Sequence, residues 1–347
     1  MVAIVYVVLA AWASVALSIG TQWRQAGLPL QRHASAVAVL QQPVSAQNLE
    51  LSQAAPPIGY DLLQGEQVRW RPDDPASGQK PPTAVLVHGI LGSRRNLFSF
   101  GKRLVQEFPT WQFLLVDLRC HGQTATMAPR PGSNTVESAA ADVIALLNTL
   151  KLYPAMLLGH SFGGKVVMEM VLLSGRVLPR PVQVWVLDTI PGDAWRAEGD
   201  HPRDTIEFVR TLHAPFDTRK QLVDALVGAG FSAAGSQWMA TNLKPLPDGR
   251  LGWTFDLAGI AQMYASYEQT SLWPMLENQP KGLAVDFVRA ERSAFVWTGE
   301  DVERIDATGA HVHVLRDAGH WVHIDNPDGL LDILTPSFQR LSGTVRS

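Results

Sequence analysis

Residues 159–164 read Gly-His-Ser-Phe-Gly-Gly, a G-x-S-x-G pattern that stands between an apolar run at 156–158 and a helical pattern at 165–173. A sharp strand-to-helix turn exposes a serine hydroxyl, and glycines on both sides let neighbouring backbones approach without a Cβ clash. The following helix points its N-terminal amides at the same place. The stretch therefore predicts that Ser161 is a nucleophile, the alternative being a structural turn serine.

Short apolar runs alternate with helical patterns on both sides of this stretch, which is typical of strand and crossover-helix units. The runs are nearly continuous in apolar residues, as strands covered by helices on both faces should be. We predict an open, mostly parallel sheet whose strands lie at 83–87, 113–117, 155–159, 182–187, 284–288 and 311–315.

A long segment between the fourth and fifth predicted strands shows helical patterns at 204–212 and 219–228 and no clear strand repeat. We expect residues 191–281 to form an inserted lid, with the core made of residues 56–190 and 282–347. The lid is rich in aromatic residues, which could line an acyl pocket or pack the lid onto the core.

A serine hydroxyl needs a base that takes its proton, and in this order of elements the base follows the last strand. His320 stands directly after the predicted strand 311–315 and before the turn at 326–327. His323 is the nearby rival, interpreted as a lid or helix-packing contact. The sequence therefore predicts His320 as general base.

Tetrahedral intermediates need amide donors aimed at the oxyanion. We predict the amides of Ile90, in the loop after strand 83–87, and of Phe162, just after the nucleophile. His88 and His121 lie in strand-end turns, where we interpret them as structural.

The acid that orients the base has several candidates. Asp188 ends the strand 182–187, Glu291 follows the strand 284–288, and Asp301 has the surroundings of a helix start. We favour Asp188, because a carboxylate one strand beyond the nucleophile strand can reach the histidine loop. Ser293 is expected to be a supplementary hydrogen-bond partner.

Composition limits the classes of function. The formal net charge is −3 and no long Lys/Arg run occurs, which argues against a nucleic-acid partner. The single cysteine, Cys120, excludes an internal disulfide and a cysteine-based zinc cluster. We expect a small or lipid-like substrate.

Residues 1–55 form a hydrophobic leader and linker. Residues 2–19 carry no charge and are just long enough to span a membrane, and no acidic residue precedes Glu50. A membrane anchor and an organellar transit peptide, mitochondrial or plastid, are both open interpretations.

Together these motifs resemble the mitochondrial abhydrolase-domain-11 proteins and the small bacterial YbfF-type esterases from about Gly59 to the C-terminus. The matching stretches are HGILGS at 88–93, VDLR at 116–119, GHS at 159–161, GGKV at 163–166 and GHWVH at 319–323. The resemblance implies the α/β-hydrolase fold, the acid at Asp188, a serine at Ser293, and acyl esters or thioesters as substrates without a cofactor. Phe162, where methionine or leucine is usual, and the turn at 290–292 depart from the family pattern.

The motifs predict a serine hydrolase that cleaves carboxylic esters or acyl thioesters through an acyl-enzyme. The same three residues could serve a carbon–carbon bond hydrolase or a lyase, because the fold does not decide the chemistry. An anionic substrate of that kind would favour buried arginines in the lid, where Arg196, Arg203 and Arg210 are present. A non-catalytic binding protein on the same fold is the third alternative.

Overall fold

A computed structural model of the chain describes residues 58–71, 80–177, 181–192, 200–293, 295 and 297–344. The predicted leader, residues 1–55, lies outside these ranges. Within them, no helix is both long enough and apolar enough to cross a membrane.

The strands of the described part are β1 Tyr60–Gln64, β2 Thr83–Val87, β3 Gln112–Val116, β4 Met156–His160, β5 Gln183–Leu187, β6 Leu243–Pro245, β7 Leu251–Trp253, β8 Ala284–Ala290 and β9 His311–Leu315. Seven of them form one sheet in the order β1-β3-β2-β4-β5-β8-β9. β1 runs antiparallel to β3, and the other neighbours are parallel.

The strands in the middle of the sheet are mostly apolar, which suits a position covered on both faces. β2, β3, β4 and β5 are buried along their whole length, because both faces of a parallel sheet are covered by crossover helices. At the edge, β9 has exposed and half-buried residues and is buried only at Leu315. Because β4, β5, β8 and β9 are parallel neighbours, their carboxyl ends meet at one side of the sheet.

The helices of the described part are α1 Arg94–Glu107, α2 Val136–Leu150, α3 Phe162–Val177, α4 Pro202–Thr211, α5 Arg219–Gly228, α6 Ala233–Ala240, α7 Leu257–Gln269, α8 Trp273–Glu277, α9 Gly299–Ala307, α10 Val322–Asp325 and α11 Pro327–Thr344. α3 begins directly after Ser161. α9 begins with a capping box in which Thr298 and Asp301 satisfy each other's backbone amides, so Asp301 belongs to a helix start, as its sequence pattern indicates.

The predicted α/β-hydrolase fold is confirmed. The six predicted strands are β2, β3, β4, β5, β8 and β9, with ends that differ by at most two residues. The antiparallel strand β1 was not predicted, because it lies at the edge of the sheet and its half-buried residues show no long apolar run.

Between β5 and β8 lie the helices α4 to α8 and the hairpin β6–β7. The hairpin was not predicted, because its strands of three residues each are too short to show a period of two. We call residues 191–281 the insert.

Candidate active site

Ser161 lies on a strained turn between β4 and α3. Its φ is +53°, in the left-handed region, which costs a residue with a Cβ about 1 kcal/mol. The Ser161 amide donates to the Leu187 carbonyl oxygen at 2.8 Å, which fixes the turn to β5. A Cβ on Gly159 would lie 2.1 Å from the Gly163 carbonyl oxygen, so the turn closes only with glycine there.

Asp188 and His320 form a buried pair. The Asp188 side chain is fully buried, and one of its oxygens, Oδ2, lies 2.8 Å from Nδ1 of His320. The other, Oδ1, accepts a hydrogen bond from the Ala290 amide at 3.0 Å. Because a carboxylate only accepts, Nδ1 of His320 carries the proton, and Nε2 is left as an acceptor.

A second histidine holds the His320 loop. His160 precedes Ser161 and is buried, and its Nε2–H donates to the His320 carbonyl oxygen at 2.7 Å. Its ring also lies 4.7 Å from that of His320, between ring centres. The end of β4, where His160 lies, thus positions the loop that carries His320 directly. Sequence reasoning placed His160 only in the turn motif, since nothing local indicates a partner 160 residues away.

The loop after β2 offers amide donors beside Ser161. The Leu91 amide donates to Nε2 of His121 at 3.1 Å, and Leu91 has a φ of +58°. Among the described residues, the amides of Ile90 and Phe162 have no acceptor. Asn242 of the insert donates from Nδ2 to the Leu91 carbonyl oxygen at 3.1 Å, which ties the insert to this loop.

Two buried histidines stiffen the same loop in their neutral form. Nδ1–H of His88 donates to the Gly89 carbonyl oxygen at 2.7 Å, and its Nε2 accepts from the Leu118 amide at 3.1 Å. His121 bonds in the same way, donating to the Arg119 carbonyl oxygen at 2.8 Å. Burial lowers the pKa of His88 to about 4 and that of His121 to about 3. Both rings are therefore scaffold groups, in agreement with their interpretation from sequence.

Because these histidines are buried in their neutral form, we predict that the free energy of unfolding decreases in acid. Burial lowers the pKa of His323 to about 4 as well, so below pH 6.5 the unfolded chain binds protons at His88, His121 and His323 that the native chain does not. We expect the free energy of unfolding to fall from pH 6.5 towards pH 4 by about 1.4 kcal/mol per pH unit for each of them. Urea unfolding at several pH values measures this slope.

The variant His121→Gln keeps an acceptor for the Leu91 amide and cannot titrate, so it should have a shallower slope than the wild type. His213→Gln, at an exposed histidine, is the matched control and should leave the slope unchanged. Equal slopes for wild type and His121→Gln would contradict the assignment of a neutral ring.

The remaining candidates for the acid lie elsewhere. Oε2 of Glu291 accepts from the Asp317 amide at 2.9 Å, and its side chain is 40 % exposed, which makes it a support of the turn after β9. Ser293 bonds to neither Asp188 nor His320 among the described contacts. Its Oγ accepts from the Phe295 amide at 3.1 Å, and the Phe295 ring meets the His320 ring edge-on at 5.2 Å. Its predicted role is thus at most indirect.

A cavity of about 360 Å³ opens in front of Ser161 and His320. Gly89 and Ile90 line its floor, and the insert contributes Leu226, Phe231, Trp238 and Met239. Of the aromatic residues in the insert, Phe231 and Trp238 line the cavity, while Trp195 lies outside the described residues. The walls are mainly apolar and suit an acyl chain.

Lys165, one turn into α3, connects the core to the insert through hydrogen bonds. It is fully buried, and its Nζ donates to the carbonyl oxygens of Tyr267 and Thr270, each at 2.7 Å, at the C-terminal end of α7. The Tyr267 hydroxyl shares a hydrogen bond of 2.5 Å with Thr189, the neighbour of Asp188. Sequence reasoning noted Lys165 only as part of a motif, although a lysine inside an apolar helix is a signal of a buried partner.

Two further kinds of chemistry concern the described residues, that of a bound metal ion and that of a cysteine thiol. Within the described ranges, no three His, Cys, Asp or Glu side chains are grouped to hold a metal ion. Burial, with Asp256 nearby, raises the pKa of the Cys120 thiol to about 12. The thiol is therefore protonated at neutral pH and is a poor nucleophile.

The sequence profile of the Alpha/beta hydrolase family matches residues 84–333. The chain belongs to the alpha/beta hydrolase family. This hydrolase is 28% identical over 285 residues to the mouse (Mus musculus) protein named sn-1-specific diacylglycerol lipase ABHD11, a match that covers 80% of the chain and 84% of the relative. It is also 28% identical to Esterase YbfF of Escherichia coli, over 71% of the chain and 89% of the relative.

Solved structures share the fold of this hydrolase. A marine microorganism esterase superposes with a TM-score of 0.62 at 20% identity, covering 81% of the chain and 99% of the esterase. The resemblance to both groups expected from the sequence is confirmed, and relatives of the hydrolase are named as esterases and lipases.

Proposed function

We propose that this protein is a serine hydrolase that cleaves carboxylic esters or acyl thioesters, with Ser161 as nucleophile, His320 as general base and Asp188 as the acid that orients it. The observation that carries the proposal is the 2.8 Å contact between His320 Nδ1 and the buried Asp188 carboxylate, beside a serine on a left-handed turn. This arrangement leaves Nε2 of His320 to accept the serine proton.

In the proposed reaction the Ser161 oxygen attacks the carbonyl carbon of the substrate while His320 takes the serine proton. The negative oxygen of the tetrahedral intermediate accepts hydrogen bonds from the amides of Ile90 and Phe162, which have no other described acceptor. His320 then gives its proton to the departing alcohol or thiol, which leaves an acyl-enzyme. A water molecule, activated by His320, releases the acid and restores Ser161.

The apolar insert supports an acyl substrate. Leu226, Phe231 and Met239 face the cavity that Ser161 lines, and burial of CH₂ groups there contributes about 0.8 kcal/mol each. We propose that the insert acts as a lid over the acyl chain, with residues 56–190 and 282–347 as the core. Named relatives act as a diacylglycerol lipase and an esterase, which agrees with a role in lipid metabolism.

No observation favours the carbon–carbon hydrolase or lyase alternative. Arg203 and Arg210 are exposed, and Arg203 pairs with Glu268. Neither is therefore a buried cation that would bind an anionic substrate in the cavity. Arg196 lies outside the described residues.

The test is hydrolysis of p-nitrophenyl esters and acyl thioesters over a series of acyl lengths by the leader-free chain. We expect turnover of both classes and labelling of Ser161 by a fluorophosphonate probe, because the probe reacts with an activated serine. A folded chain that is inert towards every ester and thioester, and unlabelled, would show that the proposal is wrong.

We further propose that the hydrophobic leader, residues 1–55, takes the enzyme to an organelle, mitochondrion or plastid, or holds it on a membrane. Its uncharged residues 2–19 support both. Fractionation of cells that express the full chain or a chain that starts at Gly59 tests this, and an identical distribution of the two would contradict it.

A further inference from the structure

A second pocket lies beside the active-site cavity, formed by the first turns of α1, the end of α6 and the start of α10. We call it the side pocket. It has a volume of about 600 Å³, and Arg95, Ser99 and Thr241 are among its lining residues. It shares Asn96, Trp238 and His323 with the active-site cavity, so these three residues belong to the wall between the two spaces.

The side pocket differs from the active-site cavity in its chemistry. No acidic residue is among its described lining residues. Arg103 is paired with Asp328, whereas the Arg95 guanidinium has no ion pair or hydrogen bond with any described residue. Arg95 therefore provides one exposed, uncompensated positive charge at the pocket.

Further donors face the same space. The Asn96 Oδ1 atom accepts from the Ser93 amide at 2.7 Å, which fixes the orientation of the side-chain amide, and its Nδ2 donates to no described residue. Arg95 and Asn96 lie in the first turn of α1, a 14-residue helix. The Arg94 amide donates to Oδ1 of Asp117 at 2.8 Å and the Asn96 amide to the Ser93 carbonyl oxygen at 3.0 Å, so among the described residues the amide of this turn without an acceptor is that of Arg95.

His323 is the independent indication that a ligand belongs there. Its side chain lines both spaces and is 6 % exposed, and neither ring nitrogen has a partner among the described residues. A buried imidazole without partners is unfavourable unless a bound group supplies them. The His160 ring packs edge-on against it at 5.0 Å between ring centres, which makes it part of the wall beside Ser161.

We propose that the side pocket binds a phosphate group on the leaving group of the substrate, so that the preferred ester or thioester has a phosphorylated alcohol or thiol. This inference rests on the proposed hydrolase function. The acyl chain takes the apolar cavity under the insert, and the leaving group passes Asn96 and His323. The lining offers a guanidinium, a side-chain amide, a hydroxyl and one helix-terminal amide, and several donors of different kinds suit the three oxygens of a phosphate better than the two of a carboxylate.

Two matched substrate pairs with the same acyl chain test the proposal. The oxyester pair is 1-acylglycerol 3-phosphate and 1-monoacylglycerol, and the thioester pair is acyl-coenzyme A and the acyl thioester of N-acetylcysteamine. We expect the phosphorylated member of at least one pair to have a kcat/KM about ten-fold higher, mainly through KM. The pair that shows the preference identifies the source of the phosphate.

Arg95→Glu should remove that preference and leave the neutral substrates unchanged, and Arg95→Lys should retain part of it. Arg210→Glu, an exposed arginine that lines neither space, changes the charge equally and should have no effect. Equal kcat/KM within both pairs, or a preference that survives Arg95→Glu, would overturn the proposal while the hydrolase function stands.

Binding of glycerol 3-phosphate, measured by calorimetry, separates the inference from the function. We expect saturable binding to the wild type and at least ten-fold weaker binding to Arg95→Glu. If no ester is hydrolysed but this difference is found, the proposed function fails and the phosphate site stands. Binding that is absent, or equal in both proteins, overturns the site.

Discussion

Replacement of Ser161 by alanine is expected to lower kcat for ester hydrolysis by at least about 10⁵-fold, because the covalent step has no substitute nucleophile. The lining residues of the cavity in front of Ser161 include no cysteine and no lysine that could replace the serine as nucleophile. Rates with a p-nitrophenyl ester under single-turnover and steady-state conditions give the size of the loss.

Two variants control for folding. Ser271→Ala removes an exposed serine hydroxyl away from the cavity and should keep full activity. Ser161→Gly should be as inactive as Ser161→Ala, yet more stable than it by about 1 kcal/mol, because glycine adopts a φ of +53° without strain. Substantial turnover by a folded Ser161→Ala enzyme would exclude Ser161 as nucleophile.

Asp188→Asn is expected to lower kcat by about 10⁴-fold, with little change in KM. An asparagine can accept the Ala290 amide with its oxygen, but its amide nitrogen then faces Nδ1 of His320, and the ring must change tautomer. In that tautomer Nε2 carries the proton and cannot take another from Ser161.

Glu291→Gln is the matched control, since it makes the same chemical change at the rival carboxylate. Oε2 of Glu291 supports the Asp317 amide, and a glutamine oxygen can do the same, so kcat should stay within about three-fold of the wild type. If Glu291→Gln were the inactive enzyme and Asp188→Asn the active one, the acid would have to be reassigned.

Local sequence patterns suffice for several features of this protein. The turn at Ser161 is predictable from residues 159–164, because the glycines it needs are neighbours in the chain. The buried strands β2 to β5 were predictable since strands covered on both faces must be continuously apolar. The edge strand β1 and the hairpin in the insert lack that signal.

The choice of acid depended on the order of strands. From sequence, Asp188 and Glu291 both follow a strand, and a rule about strand ends does not separate them. In the folded chain Asp188 turns its carboxylate to His320 with a φ of +49°, whereas Glu291 turns outward to Asp317. The place of β5 and β8 in the sheet, together with the left-handed backbone at Asp188, therefore decides which carboxylate meets His320.

The sequence by itself determined the α/β architecture, the family and the residues at the strand ends, because each depends on periodicity or on contiguous motifs. Only the tertiary structure decided the partners of those residues. The bond from His160 to the His320 carbonyl joins positions 160 residues apart, and the bond from Lys165 to Tyr267 joins positions 102 residues apart. His323 likewise meets residues of distant segments where it lines two cavities. Contacts at such separations arise from packing of the whole sheet and insert, which no local pattern encodes.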